Sequence, residues 1–245
     1  MYQFEQRRSI RKYSDKPIDD KLLRQLLTSA EQTQTMGNLQ LYSVIITRDK
    51  SKKAELAPAH FNQPMATEAP VVLTFCADYN RSTQWCTQRR ATPGYDNFLS
   101  FLNAAIDTLL YCQTFCNMAE QQGLGLCFLG TTIYNPQQII DTLRLPRLVM
   151  PIATITLGWP DEEGSVSDRL PINAIIHNEE YQAYSPEDIN KYYTPKEQLP
   201  ENKRFVEINN MQTLAQVYTD LRYKPDDCRA MSKVLLNTLR NQGFL

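Results

Sequence analysis

The sequence is poor in the residues that build metal centres and hydrolytic sites. Its 245 residues include two histidines, His60 and His177, so a zinc site built on histidine is not expected. The six cysteines form no C-x-x-C pair, and no G-x-S-x-G motif occurs. We therefore predict no metal site, no disulfide framework and no Ser-His-Asp triad, and we expect the cysteines to be buried free thiols.

Long apolar runs and excess charge of one sign are also missing. The longest apolar region, residues 98–119, is interrupted by Asn103, Asp107 and other polar residues, so it does not supply the roughly 20 apolar residues of a membrane span. The formal net charge is -1, which gives no broad attraction to nucleic acid or acidic membrane. Because the first residues also lack the apolar core of a secretory signal, we expect a cytoplasmic protein that binds neither.

The hydrophobic pattern mixes helices with strands. Apolar or β-branched runs predict strands over residues 41–47, 71–77, 126–129 and 151–158. Helical periodicity predicts helices over residues 18–30, 98–122, 136–143 and 226–242. Residues 79–95 are polar and are expected to be a mobile, irregular insertion. The strands are too far apart in sequence for simple hairpins, so the pattern predicts an α+β fold with a helix-covered sheet.

The helix predicted over residues 98–122 is apolar nearly all round. A helix of this kind is either central in the fold or part of a subunit interface. Gly123 and Gly125 follow it, and glycine is the natural residue just past a helix end. Gly130 differs from them, because a glycine at a strand end lets a ligand approach the backbone.

The basic segment Arg7-Arg8-Ser9-Ile10-Arg11 is the strongest candidate for a ligand site. In an extended conformation, Arg7, Ser9 and Arg11 share one side and Ile10 can anchor the other side in the core. Two guanidinium groups that flank a hydroxyl suit a phosphate. The hypothesis is a phosphate clamp, and the alternative is a solvated basic turn. Arg169 is either a second phosphate ligand or a surface residue.

Two familiar phosphate-binding motifs are excluded around the glycines at 123–130. No Lys-Ser or Lys-Thr follows Gly130, so this is not a P-loop. The predicted order is helix, glycines, strand, whereas a dinucleotide-binding fingerprint needs strand, glycines, helix. The paired carboxylates Glu162 and Glu163 lie in a polar loop and are predicted to be solvated.

Several segments, taken in order, resemble the flavin-dependent nitroreductase family. They are residues 7–13 with Pro17-Ile18, Asn38-Leu39-Gln40, residues 75–81, residues 123–130, Leu145-Pro146, residues 157–160 and Arg169-Leu170-Pro171. The Phe-Cys-Ala-Asp and Leu-Gly-Trp-Pro pieces resemble the oxygen-insensitive, NADPH-preferring nitroreductase and flavin reductase branch. The resemblance spans roughly residues 1–185.

This resemblance implies an FMN-bound homodimer with a mainly antiparallel central sheet and the flavin in a groove between subunits. It implies one domain over residues 1–245, with residues 172–245 a C-terminal extension that packs on the partner subunit. The implied cofactor-binding residues are Arg7, Arg8, Ser9, Arg11 and Arg169 around the phosphate, Gln63 and the backbone of Phe128, Leu129 and Gly130 along the flavin, and Thr35, Met36, Gly37 and Asn38 from the partner. Within this set, Arg8 is expected to make structural contacts.

The sequence departs from the family pattern at two places. Ser167 stands where the family usually has a lysine, two residues before Arg169, so one positive charge is missing from the implied clamp. Met36 and Gly37 replace serines of the partner-subunit loop, which removes side-chain hydrogen bonds there.

The implied function is an FMN-dependent NAD(P)H oxidoreductase. It would reduce nitroaromatics, quinones or flavins by ping-pong hydride transfer through the flavin N5, and no catalytic side chain is needed because the flavin carries the chemistry. NADPH or NADH would be the donor, and Lys203 with Arg204 is either an NADPH-attracting pair or a solvated one. The alternative function is a non-catalytic flavin- or nucleotide-binding protein of the same fold.

Overall fold

The computed structural model describes residues 4–245, which form two compact units. One unit extends to Ser165 and includes Met231–Leu245, and the other is Val166–Ala230. Within residues 4–245, no helix is long and apolar enough to cross a bilayer.

A four-stranded antiparallel sheet lies at the centre of the first unit, in the order β1-β2-β4-β3. Its strands are β1 (Tyr42–Thr47), β2 (Val71–Asp78), β3 (Gly125–Leu129) and β4 (Val149–Gly158). Every residue of β2 and β4 is buried, because both central strands are covered on both faces. The predicted α+β class with a mainly antiparallel sheet is confirmed.

Helices cover this sheet. They are α1 (Asp20–Ala30), α2 (Lys50–Leu56), α3 (Met65–Glu68), α4 (Asn80–Gln88), α5 (Phe98–Gln121) and α6 (Pro136–Leu143), with short 3-10 helices at Phe4–Gln6, Ala57–His60 and Gly130–Ile133. The second unit contains a 3-10 turn at Ile172–Ala174, α7 (Pro186–Glu197), α8 (Pro200–Ile208), α9 (Leu214–Gln216) and a π-helical turn at Val217–Arg222. A final helix, α10 (Pro225–Gln242), begins there and ends in the first unit.

The helix ends follow from capping. The Asp19 carboxylate accepts a hydrogen bond from the Lys21 backbone at the start of α1, and Asn97 does the same for the Ser100 backbone at the start of α5. Gly123, at a φ of 80°, ends α5 in the left-handed conformation that glycine adopts without strain. The predicted helix stop at Gly123 is therefore confirmed.

The expectation of an irregular insertion over residues 79–95 is wrong in its first half, where α4 forms. Only Ser82 and Cys86 of α4 are buried, so few core contacts hold this helix. The Tyr79 and Tyr95 rings stack with centroids 4.4 Å apart and hold the segment at both ends. Its order depends on these tertiary contacts, which a polar composition does not reveal.

The basic segment lies along β3 and β4 by means of two facing glycines. Gly125 and Gly158 are direct partners across the β3–β4 ladder. A methyl group on Gly125 would lie 2.7 Å from the Ile10 Cβ, and one on Gly158 would lie 2.6 Å from the Tyr13 ring. Both glycines are therefore required by the close approach of the segment.

Hydrogen bonds fix the register of this contact. The Ile10 N–H donates to the Leu126 carbonyl at 3.0 Å, and the Ser14 N–H donates to the Trp159 carbonyl at 2.9 Å. The Tyr13 hydroxyl donates to the Ile10 carbonyl at 2.6 Å. Ile10 is buried, as the alternating pattern predicted.

We expect Gly125→Ala to destabilise the protein by about 1–3 kcal/mol, because the new methyl group overpacks the Ile10 contact. The free energy of unfolding in urea measures this loss. Gly94→Ala is the matched control, because a methyl group placed on Gly94 would have no described residue within 4 Å apart from its own chain neighbours. Equal stabilities of the two variants would contradict the proposed contact.

Candidate functional site

A cleft of roughly 280 Å³ lies between the basic segment, α5 and β3. It is lined by Arg7, Ser9, Leu109, Cys112, Gln113, Cys116, Glu120, Leu126 and Phe128. Phe128 is the one exposed residue of β3, with 51% of its surface accessible. The cleft thus combines a polar end, where Arg7, Ser9 and Glu120 meet, with an apolar wall, which is the character of a cofactor pocket.

Arg7 and Ser9 enter this cleft together. The Arg7 guanidinium lies 3.5 Å from the Glu120 carboxylate and 3.4 Å from the Ser9 hydroxyl, to which it donates. Glu120 is nearly buried on α5. The acid therefore fixes the direction of Arg7 while leaving its other donors for a ligand.

Arg11 and Arg7 both act electrostatically on the Cys127 thiol. Burial raises the pKa of Cys127, and the positive charges of Arg11 and Arg7 lower it. Arg7 and Ser9 line the cleft, whereas Arg11 is absent from its lining, so the place of Arg11 in a phosphate clamp stays a prediction.

Glu162 is solvent-accessible, as predicted, and it also fixes the backbone of the basic segment. Its Oε1 accepts hydrogen bonds from the Arg11 N–H at 2.5 Å and the Lys12 N–H at 3.1 Å. The bond from Arg11 is the main reason that the pKa of Glu162 is lowered. This contact joins residues 150 positions apart, and no local signal in the sequence could reveal it.

Arg8 is directed to the loop instead of the cleft. Its guanidinium donates to the Glu163 carbonyl at 3.2 Å, and it is absent from the lining. This placement agrees with a structural role for Arg8, and direct contact with a cofactor stays a prediction.

The turn at Gly130 and the loop that carries Gln63 are joined. The His60 Nδ1 lies 2.9 Å from the Thr131 hydroxyl, and the Asn135 amide donates to the Ala59 carbonyl at 3.3 Å. The Gln63 amide donates to the His60 carbonyl at 3.2 Å. The two segments that the resemblance assigns to the flavin are therefore neighbours in the structure.

Gly130 itself is open. Apart from its own chain neighbours, no described residue lies within 4 Å of a methyl group placed on Gly130, so a flat ligand could approach its backbone. Burial lowers the pKa of the nearby His60 to about 4. This imidazole is therefore neutral at pH 7, and its hydrogen bond with Thr131 connects the two segments.

The loop with Thr35, Met36, Gly37 and Asn38 is held by Asp107, a residue that sequence reasoning did not select. The fully buried Asp107 carboxylate accepts from the Met36 N–H at 2.8 Å and the Leu41 N–H at 3.3 Å. None of the four loop residues belongs to the described lining of this chain's cleft. An acid in the middle of an apolar helix was the available signal for Asp107.

Arg169 lies in the second unit, where it is exposed. Its guanidinium donates to the carbonyls of Ser167 and Asp168, at 3.3 and 2.8 Å. The Lys196 ammonium lies 2.6 Å from the Asp168 carboxylate, so this cation is paired with the acid that follows Ser167. Participation of Arg169 in a phosphate clamp stays a prediction.

We expect Asp107→Ala to destabilise the protein by about 2–4 kcal/mol, because the backbone N–H groups of Met36 and Leu41 lose their acceptor. Asp107→Asn keeps one acceptor oxygen and should lose less. Urea unfolding measures both effects, and hydrogen exchange at Met36 and Leu41 locates them. Unchanged exchange at these amides would show that Asp107 does not hold the loop.

Comparison with known proteins agrees with this geometry. A sequence model described as the nitroreductase family matches residues 4–159. An NAD(P)H FMN reductase of Bacillus subtilis is 31% identical over 231 residues, covering 88% of this chain and 89% of the relative. An oxygen-insensitive NADPH nitroreductase of Salmonella typhimurium is 31% identical over 194 residues, covering 79% and 78%.

Solved structures agree as well. A crystal structure from Bacteroides fragilis NCTC 9343 is 58% identical, has a TM-score of 0.96 and covers 98% of this chain and 97% of its own. The structure of NfrA2 from Bacillus megaterium is 28% identical, has a TM-score of 0.81 and covers 98% and 95%. The match therefore includes both units and not only the residues of the family model.

Proposed function

The chain belongs to the nitroreductase family, and we propose that it is an FMN-dependent NAD(P)H oxidoreductase that reduces nitroaromatics, quinones or flavins. The function class predicted from the sequence agrees with the names of its relatives. The observation that supports the proposal is the pairing of Arg7 and Ser9 in a cleft beside β3, with Arg11 acting on Cys127 of the same strand.

The residues of this cleft fit FMN. Arg7, Ser9 and Arg11 would hold the phosphate through charge-assisted hydrogen bonds. The apolar wall of the cleft at Leu126 and Phe128 suits the flat face of a flavin, as does the open backbone of Gly130, which directly follows β3 outside the cleft lining. Bound FMN supplies hydride transfer, for which the chain needs no acid or base of its own.

The protein's own part is to bind, orient and exclude water. The Glu162 bonds to the Arg11 and Lys12 backbone keep the clamp in place before a cofactor arrives. His60 and Thr131 keep the Gln63 loop against the Gly130 turn. Preorganisation of this kind lowers the entropy cost of binding.

We also propose that the active form is a homodimer. The face of α5 that is turned away from the sheet exposes a stripe at helical spacing, Leu99, Leu102, Ile106, Leu109 and Leu110, each at least 40% accessible. An apolar stripe of this length is typical of a surface that another chain covers. The loop that follows α1 is held by Asp107 of the same helix α5, and its Thr35–Asn38 residues would reach the partner's flavin.

Exposed apolar side chains also occur in the second unit, which belongs to the carboxyl-terminal region. In the second unit, Ile172, Ile175, Ile176 and Tyr181 are each more than half exposed. These side chains would pack on the partner subunit, as residues of a C-terminal extension of a single domain.

A cytoplasmic location with NADPH or NADH as the donor fits this function.

Anaerobic reduction tests the function. The FMN-loaded protein should be yellow, should bleach within seconds of NADPH or NADH addition, and should recover its colour when a quinone is added. A protein that binds FMN but does not bleach with either donor would instead be the non-catalytic binding protein. A protein that cannot be reconstituted with FMN would contradict both functions.

We expect Arg11→Ala to weaken FMN binding by about 10- to 100-fold, because one charge-assisted bond to the phosphate is lost. Fluorescence titration with FMN measures the affinity, and titration with riboflavin, which has no phosphate, should show no difference. Arg24→Ala removes an exposed arginine from α1 and serves as the control. Equal FMN affinity of the Arg11 and Arg24 variants would contradict the clamp.

We expect light scattering to give twice the chain mass of 28.3 kDa, and Ile106→Asp to shift the protein toward the monomer, because it places a charge in the apolar interface. A variant that stays fully dimeric would show that the stripe on α5 is not the interface.

A further inference from the structure

Two consecutive residues beside the Gly130 turn are held in the left-handed conformation. Phe61 has a φ of 53° and Asn62 a φ of 54°. Asparagine tolerates this region, but for a bulky residue such as phenylalanine it is an outlier that costs about 1–2 kcal/mol. Strain of this kind persists where the surroundings impose it, often at functional sites.

The strained backbone is held by hydrogen bonds within its own turn and by the buried His60 side chain. The Phe61 N–H donates to the Pro58 carbonyl at 3.1 Å, and the Asn62 N–H donates to the Ala57 carbonyl at 2.9 Å. His60, fully buried, connects the turn to Thr131. The backbone is therefore rigid at the position where Phe61 projects.

Core packing does not explain the phenylalanine. Its side chain is 52% exposed, so burial repays little of the strain. Its main aromatic neighbour is Tyr134, whose ring centroid lies 6.4 Å away at a tilt of 42°. Tyr134 directly follows the turn that begins at Gly130, so the aromatic pair lies next to the open backbone of the site.

We propose that Phe61, supported by Tyr134, is a specificity-determining residue that provides a stacking surface for planar, electron-poor acceptors. The inference rests on the proposed function and adds a recognition element to it. The electron-rich face of an aromatic ring attracts an electron-poor ring, and this attraction adds to the free energy gained from burying apolar surface. Quinones and nitroaromatics have this character, whereas a small inorganic oxidant has no ring to stack.

The aromatic pair favours the acceptor over the nicotinamide donor. Neither ring offers a charge to the phosphate groups of a dinucleotide, through which such a donor gains much of its affinity. An aromatic acceptor without phosphates depends more strongly on its ring contacts. Loss of the Phe61 ring should therefore affect the acceptor half-reaction and spare the donor half-reaction.

Phe61→Asn tests this proposal, because asparagine removes the ring while it tolerates the left-handed backbone. With the FMN-loaded protein, we expect kcat/KM for a naphthoquinone to fall between about two- and tenfold, mainly through KM. The rate with ferricyanide and the rate of anaerobic bleaching by NADPH should stay unchanged. Phe61→Tyr should retain wild-type behaviour, and Trp85→Leu, which removes an exposed ring from α4, should have no effect on either acceptor.

An equal loss with ferricyanide, slower bleaching, release of FMN or dissociation of a dimer would each overturn the proposal, as would an unchanged naphthoquinone KM. These results are distinct from failure of the proposed function. If the wild-type protein bleaches with NADPH and turns over with ferricyanide, the oxidoreductase function stands whatever the Phe61 variants do.

Discussion

The contact on which the site depends is that of Ile10 and Tyr13 with the facing glycines of β3 and β4. Gly125 and Gly158 are cross-strand partners, and at both positions a side chain as small as a methyl group would overlap the incoming segment. The loop after β4 then covers Ile10, where Gly164 at a φ of 65° allows it to turn. The position of the arginines is thus a consequence of backbone packing on the sheet.

Carboxylates hold the other parts of the site. Glu162 binds the backbone of the basic segment, Glu120 directs Arg7, and Asp107 holds the loop at Met36. Each acid comes from an element distant in sequence from its partner. Because a buried or half-buried carboxylate is costly without donors, these pairs specify one arrangement of the loops around the cleft, which a purely apolar contact would not do.

Most of the sheet and its helices could be predicted from periodicity and capping, since β2, β4 and α5 bury long apolar runs. The elements that escaped prediction have few buried residues. In α4 two positions are buried and in α7 none is, although Ser185 and Asp188 form a capping box at the start of α7. Such helices depend on their surroundings, and local sequence carries little of that information.

For the site, the sequence by itself determined the composition of the basic segment, its alternation around Ile10, and the glycine stop after α5. These are properties of neighbouring residues, which local backbone geometry makes readable. Only the tertiary structure decided that Glu162 holds Arg11 and Lys12, that Asp107 holds the loop at Met36, and that His60 joins Gln63 to the Gly130 turn. These contacts join residues far apart in the chain, so they exist only after the sheet has assembled and brought the loops together.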